Sequence, residues 1–440
     1  MDAFRRTILL SLLPSLAPTV AAADAEAIFA EAAAYTLRID TTVQLPFIED
    51  ERGAHFGAAF LVDKDRGWAI TNAHVAARSP ARLEAILNDG RRFGAERVYV
   101  DPYIDVAVLE LGGDVSGLQE AELSCGPLPG VGHPVGAYGH PWGFDFTGTR
   151  GVVSGSTYEL GPEMIQTDTP INGGNSGGPL ISLKTGEVVG VNQAKYASSE
   201  DQNTNFAVPV RQVCRILELL QDGRDPSPAR LDTVFYHVRG AQNRLTVART
   251  FLDEQLLSLQ AEDQILAVNG MPVDTESELL HELRGSLNSV VLSISRDGED
   301  MELLGRLSPT PLILERQGLY FAGILFADSG FRDWGSVDAG PGIMVHSLLG
   351  GTDADGEGLI PFDYLVRVDG IEIGSLEQLR LLLANEPASG EIQLDFMRLI
   401  EDEGSGHLFY SVRRNTPWSE SILVGAWDSL GEDVLQSREH

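Results

Sequence analysis

From Tyr35 to Val210 the chain is written in short apolar runs rather than in helical periods. The runs are YTLRI, HFGAAFLV, WAITNAHV, LEAILNDG, ERVYV, DVAVLEL, HPVGAYG, GVVSGSTYEL, MIQTDT, PLISL, EVVGVNQA and NFAVPV, most of them bounded by Gly, Asp, Arg or Pro. About a dozen short strands with turn signals between them predict a mainly β fold, a sandwich or a pair of barrels. Helices are expected at both ends. Residues 24–34 are rich in Ala and Glu, and Val210, Val213, Leu217 and Leu220 recur at helical spacing over 210–221. Gly223 then suits a helix C-terminus, and Pro226 and Pro228 mark a linker.

Beyond the linker the pattern repeats. Residues 263–283 read DQILAVNGMPVDTESELLHEL and residues 363–383 read DYLVRVDGIEIGSLEQLRLLL, an offset of 100 without a gap. Asp263/Asp363, Val268/Val368, Gly270/Gly370, Val273/Ile373, Leu279/Leu379 and Leu283/Leu383 correspond. Each copy predicts a strand, a turn at Asn269-Gly270 or Asp369-Gly370, a short strand and an amphipathic helix. Two tandem α+β modules follow, at 229–308 and 312–415. The tail at 416–440 is expected as a docked helix or a loose end, with Gly425 and Gly431 weakening the helix.

Length and composition sharpen this. At 440 residues the chain calls for two to four domains. A net charge of −32 argues against nucleic acid or an anionic membrane as the main partner. Arg5 and Arg6 precede an apolar run from Ile8 to Val20, and Ala21-Ala22-Ala23 offers a cleavage site. That is the form of an export signal over 1–23, so a periplasmic or secreted protein is expected. No later stretch is apolar enough to span a membrane. Of the two cysteines, Cys214 falls in the helical pattern, far in sequence from Cys125, and a free buried thiol is the expectation there.

The chemistry centres on residues 172–180, NGGNSGGPL, where Ser176 sits among four glycines. A serine hydroxyl becomes a nucleophile when a base takes its proton and N–H groups hold the resulting oxyanion. Of nine histidines, His74 has the most telling place, in TNAHV at the end of a buried run. Asp105 opens the run DVAVLEL and can orient that base. Alone, His74 reads as a structural histidine and Asp105 as a strand-edge residue. Together they stand in the order His, Asp, Ser inside one β-rich region, the order of chymotrypsin-type double barrels. Residues 174–178 also fit G-x-S-x-G, the nucleophile elbow of α/β-hydrolases. That fold needs a helix after the serine and the order Ser, Asp, His, neither of which occurs here.

TNAHV, DVAVLEL and GNSGGPL resemble the three catalytic motifs of the HtrA/Deg serine proteases, and the tandem modules resemble their PDZ domains. The resemblance covers essentially the whole chain after residue 23. It implies a chymotrypsin-like double β-barrel over 24–225, followed by a degenerate first PDZ domain and a second one. It implies an ATP-independent endopeptidase for unfolded or damaged exported proteins, working as a homotrimer or an assembly of trimers, with no metal or organic cofactor. The Gly174 and Ser176 N–H groups then form the oxyanion hole. Asn192, Gln193, Ala194 and Lys195 pair with substrate, and Asn205 and Phe206 line the pocket. Asn205 stands where the family has glycine. Pro170, where trypsin-like enzymes carry aspartate, argues against a basic side chain before the cut and leaves small or medium apolar ones. His140, in GHPWG, is read as structural.

PDZ domains hold a C-terminal peptide as an added strand with its carboxylate on backbone N–H groups. Gly318, Leu319, Tyr320 and Phe321 resemble that carboxylate loop, with tyrosine replacing a glycine. The region from Leu231 to Phe235 in the first module lacks such a pattern. Two other classes compete with the protease: an inactive scaffold that binds protein C-termini, and a dedicated sensor protease for one membrane partner. The intact triad weighs against the first, and two binding modules without a membrane anchor weigh against the second.

Overall fold

The structure is a computed structural model that describes residues 24–101, 103–140, 146–157, 162–193, 204–231, 233–236, 245–250, 257–286, 289–310, 312–328, 342–349, 358–385, 387, 389–402, 406–419 and 421–424. The expected export signal at 1–23 and the end of the tail lie outside these residues. Among the described residues no helix is long and apolar enough to cross a membrane.

Helix α1 (Ala25–Tyr35) is capped by Asp24, whose carboxylate accepts from Glu26 N. Six antiparallel strands follow: β1 (Thr36–Val43), β2 (Gly53–Asp63), β3 (Trp68–Thr71), β4 (Ala81–Leu87), β5 (Arg92–Val100) and β6 (Ala107–Leu111). They close a barrel in the order β1-β2-β3-β6-β5-β4. The one-turn helix α2 (Ala73–Ala76) interrupts the run WAITNAHV, so its strand stops at Thr71 rather than reaching His74. A second barrel, ordered β10-β11-β12-β9-β8-β7, is built from β7 (Pro134–Gly139), β8 (Thr147–Thr157), β9 (Met164–Thr167), β10 (Pro179–Ser182), β11 (Val188–Gln193) and β12 (Asn205–Pro209). Helix α3 (Val210–Gln221) follows.

The unbroken apolar runs have a physical reason. Successive strand residues point to opposite faces, and here both faces are buried. Ala59, Leu61, Ala69, Ala107 and Leu109 belong to one core of the first barrel. Phe60, Ile70, Val106 and Val108 point the other way, into a core shared with Val188, Val191 and Val208 of the second barrel and Ile28 and Ile216 of the flanking helices. Val135, Ala137, Ile165, Leu180 and Ala207 belong to a core of the second barrel.

Cys125 and Cys214 form a disulfide, with Cα atoms 5.9 Å apart. This corrects the expected free thiol. Ser124 N donates to Val188 O, which clips the inter-barrel connection to the start of β11, and α3 packs on β11, so the two cysteines meet. A crosslink spanning 89 residues stabilises a fold by about 4–5 kcal/mol in the chain-entropy account.

The two repeat copies fold as read. The strands Gln264–Val268 and Tyr364–Val368 each lead through a turn and a short strand into helices α4 (Glu276–Leu283) and α5 (Leu376–Leu383). The matching aspartates explain the repeat. Asp263 takes both Arg296 guanidinium nitrogens at 2.7 Å and Gln260 N at 2.8 Å. Asp363 does the same with Arg398 and Ile360 N. Asn269 and Asp369 sit at φ 50 and 48, and each caps a neighbouring strand through its side chain.

The tail departs from expectation. Trp418 docks on α5 through Leu383 O, and Ile422–Val424 is neither helical nor loose but a strand, antiparallel to Gly318–Phe321. Both modules also touch the first barrel. Arg284, at the end of α4, forms a fully buried ion pair with Asp101 at 2.6 Å. In the second module Arg316 grips Glu49 through two bonds of 2.7 Å. Phe47 packs into a cluster with Tyr320, Leu325, Ala327 and Val424.

Candidate active site

Thr71 ends β3, and Asn72 turns the chain into α2, which lifts His74 out of the barrel wall. His74 Nδ1 lies 2.7 Å from Asp105 Oδ2, and His74 N donates to Asp105 Oδ1 at 3.0 Å. Asp105 itself stands two residues before β6, in a left-handed turn at φ 55. Its backbone carbonyl accepts from Ala73 N and Asn72 Nδ2. The carboxylate has two further partners: Arg78 Nη2 at 3.0 Å on Oδ1 and Gln193 Nε2 at 2.8 Å on Oδ2. Burial pushes the Asp105 carboxyl up, but the His74 ring and then the Arg78 guanidinium outweigh it and hold it well below the usual carboxylate range.

Ser176 enters from the second barrel in the turn before β10. Its carbonyl accepts from Ala58 N of β2 at 2.8 Å, across the barrel junction. Gly177 N donates to Asn192 O at 2.9 Å, and Asn192 N donates to Gly178 O at 2.8 Å. Asn192 Nδ2 reaches Pro179 O. The end of β11 therefore ties the two halves together: Asn192 braces the serine turn, and its neighbour Gln193 holds the Asp105 carboxylate. A backbone fully engaged with the serine turn differs from the substrate-pairing edge expected at Asn192. Ala194 and Lys195, the rest of that expected edge, lie outside the described residues. Asn205 is buried opposite Thr167, and half-buried Phe206 lies opposite Gln193.

Gly174 has φ +100, and a Cβ there falls 2.1 Å from His140 O. Its carbonyl accepts from His140 N at 3.1 Å, while Asn175 N turns inward to Asn172 O. Buried His140 thus touches the serine turn through its backbone.

Residues 57–191 match the trypsin-like peptidase domain family. A probable periplasmic serine endoprotease, DegP-like, of Marinomonas sp. (strain MWYL1) is 27% identical over 379 residues, covering 81% of this chain and 79% of its own. The periplasmic pH-dependent serine endoprotease DegQ of Escherichia coli (strain K12) is 27% identical, covering 77% of each chain. In fold, the solved HtrA-type protease AlgW with decapeptide superimposes with a TM-score of 0.53 at 22% identity, over 66% of this chain and 99% of that one. The chain belongs to the HtrA/Deg serine endoproteases. It is an exported serine endopeptidase with a chymotrypsin-like fold.

For an HtrA/Deg chain, three contributors to the site were not singled out from sequence as its supports. Arg78 follows α2 in a turn that only the fold brings to Asp105. Gln193, expected from sequence on the strand that pairs with substrate, also gives its side-chain amide to the Asp105 carboxylate. His140 was read as structural, and its backbone N–H carries its contact. The one usable signal was proximity in sequence, Arg78 lying four residues after His74 and Gln193 ending a strand of the serine barrel. In the second module Gly318, Leu319, Tyr320 and Phe321 form a buried strand in a hairpin with Ile324–Asp328, its other edge covered by Ile422–Val424.

Proposed function

We propose that His74, Asp105 and Ser176 act as a catalytic triad in the cleavage of unfolded or damaged exported polypeptides. The observation that carries the reading is the double use of β11: Asn192 holds the turn beside Ser176 while Gln193 holds the carboxylate that grips His74. His74 takes the Ser176 proton as Oγ attacks the peptide carbonyl, then protonates the leaving amine. Asp105 keeps the ring in one tautomer and stabilises the imidazolium. The Gly174 and Ser176 N–H groups hold the oxyanion; their neighbours Asn175 and Gly177 direct theirs to internal carbonyls.

The units at 229–308 and 312–415, the second extended to Val424, are PDZ domains in this reading. The second takes C-terminal peptides at Gly318–Phe321, and three chains assemble as a homotrimer. Cleavage of unfolded casein by wild type and by Ser176→Ala, with and without hydrophobic C-terminal peptides, tests it. Wild type cuts and Ser176→Ala does not, and peptides raise the wild-type rate. Cleavage by Ser176→Ala at the wild-type rate overturns the triad. Activity on one native partner with none on casein replaces the broad substrate class by a dedicated one.

A further inference from the structure

Arg78 stands where a charge has consequences. Its side chain is only 5% exposed, and it meets Asp105 on the oxygen that also accepts from His74 N. Oδ2 is left to His74 Nδ1 and Gln193. A carboxylate gripped at both oxygens cannot rotate away from the ring. A cation on that carboxylate also opposes a second positive charge a few ångströms away on the imidazole.

The position of Arg78 is itself built. Arg78 N and Ser79 N both donate to Asp50 Oδ2, at 2.8 and 2.5 Å. Ser79 Oγ accepts from Phe47 N at 2.8 Å. Buried Arg97 donates to the carbonyls of Ala77, at 2.6 Å, and Ser79. Ala77 takes φ 60, so the turn after α2 is sharp and held from three sides. A solvent-facing arginine needs none of this.

We infer that Arg78 is a positioning residue of the proteolytic reaction, one that aims the Asp105 carboxylate at His74 and weakens its hold on the imidazolium. The inference rests on the triad reading. Among the described residues, the charged and titratable groups packed about the pair include Arg78 and, behind it, Asp50 and Arg97; His55 of β2 lies across α2, with Nε2 3.2 Å from Val75 O. With Arg78 in place, activity extends to lower pH than without it.

The test is kcat/KM against pH on a peptide substrate for wild type, Arg78→Gln, Arg78→Met and Arg78→Lys, with Ser176→Ala as the blank. The two neutral variants are run together, so that a folding defect in one, seen as loss of a cooperative melt, leaves the other to decide. A neutral variant loses roughly ten- to a hundredfold in rate through misaimed geometry. Its acid limb moves to higher pH by roughly one unit. Arg78→Lys keeps the wild-type limb and recovers most of the rate. A neutral variant whose rate falls while its acid limb stays at the wild-type position overturns the inference, as does a lysine variant that shifts like glutamine. A fully active Ser176→Ala sinks the triad reading instead; an inactive one beside unmoved Arg78 profiles removes only the role of Arg78.

Discussion

At the scale of single residues, the serine turn leaves almost no room for change. Gly174 combines a left-handed backbone with a carbonyl 2.1 Å from where a side chain would begin. Gly174→Ala must therefore rotate the peptide that carries one proposed oxyanion donor. Loss of a single such donor costs on the order of 10²–10³ in kcat. The expected outcome is that loss in a steady-state assay with a melting temperature near wild type; unchanged kcat would remove Gly174 from the hole. The residues proposed for the chemistry stand out in the sequence because Ser176, His74 and Asp105 sit in local patterns that a sequence displays. Their supports do not. Arg78 and Gln193 are 27 and 88 residues from Asp105, and hydrogen bonds of that span leave no periodic trace. Asn192 illustrates the same limit, since its backbone could equally have faced a substrate.

At the scale of elements, strand placement followed closely from apolar runs, because two-sided burial makes such runs long and unmistakable. What failed was pairing between distant pieces. Cys125 and Cys214 are neighbours only because α3 folds back on β11. The strand Ile422–Val424 is short, flanked by Trp418 and Gly425, and gains its partner only from the fold. It lies antiparallel beside Gly318–Tyr320, the edge at which an added peptide strand is proposed to enter, and Val424 is buried there. The chain's own strand then competes with any ligand, and apparent affinity falls by the fraction of molecules with the edge open. Removing residues 421–440 should tighten binding of a hydrophobic C-terminal peptide by roughly tenfold in fluorescence polarisation. An unchanged affinity would mean that peptides enter elsewhere.

At the scale of the whole molecule, both C-terminal units meet the protease through a histidine, buried at His346 and half-buried at His281, and an arginine. His346 Nδ1 accepts from Ile48 N at 3.3 Å and its Nε2 donates to Asp328 O at 3.0 Å; His281 Nδ1 lies 2.8 Å from Gln212 Oε1. Burial, then Arg316, lowers the His346 imidazole from 6.5 to about 4, against the pull of Glu49. Burial, then Arg284 and Arg211, brings His281 to about 4 as well. Between 6.5 and 4 the unfolded chain binds protons that the folded chain refuses, so stability is full above that window and falls as pH drops through it. Asp105 stays ionised throughout. Hydrogen-exchange protection at the Phe47 and α4 contacts, taken relative to the intrinsic rate at each pH, should fall between pH 7 and 5, and His346→Asn should flatten the response at Phe47 alone. Equal protection at both pH values would separate these histidines from docking. The loop at 47–50 has one more consequence. Phe47 packs against the second C-terminal unit while Asp50 holds the turn of Arg78, so the two ends share one set of contacts. Coupling of that kind is reciprocal in binding free energy. Whatever factor a peptide at Gly318–Phe321 imposes on the affinity of the cleft for a reversible inhibitor, the inhibitor imposes on the peptide, so an occupied cleft sets how firmly the module keeps its ligand.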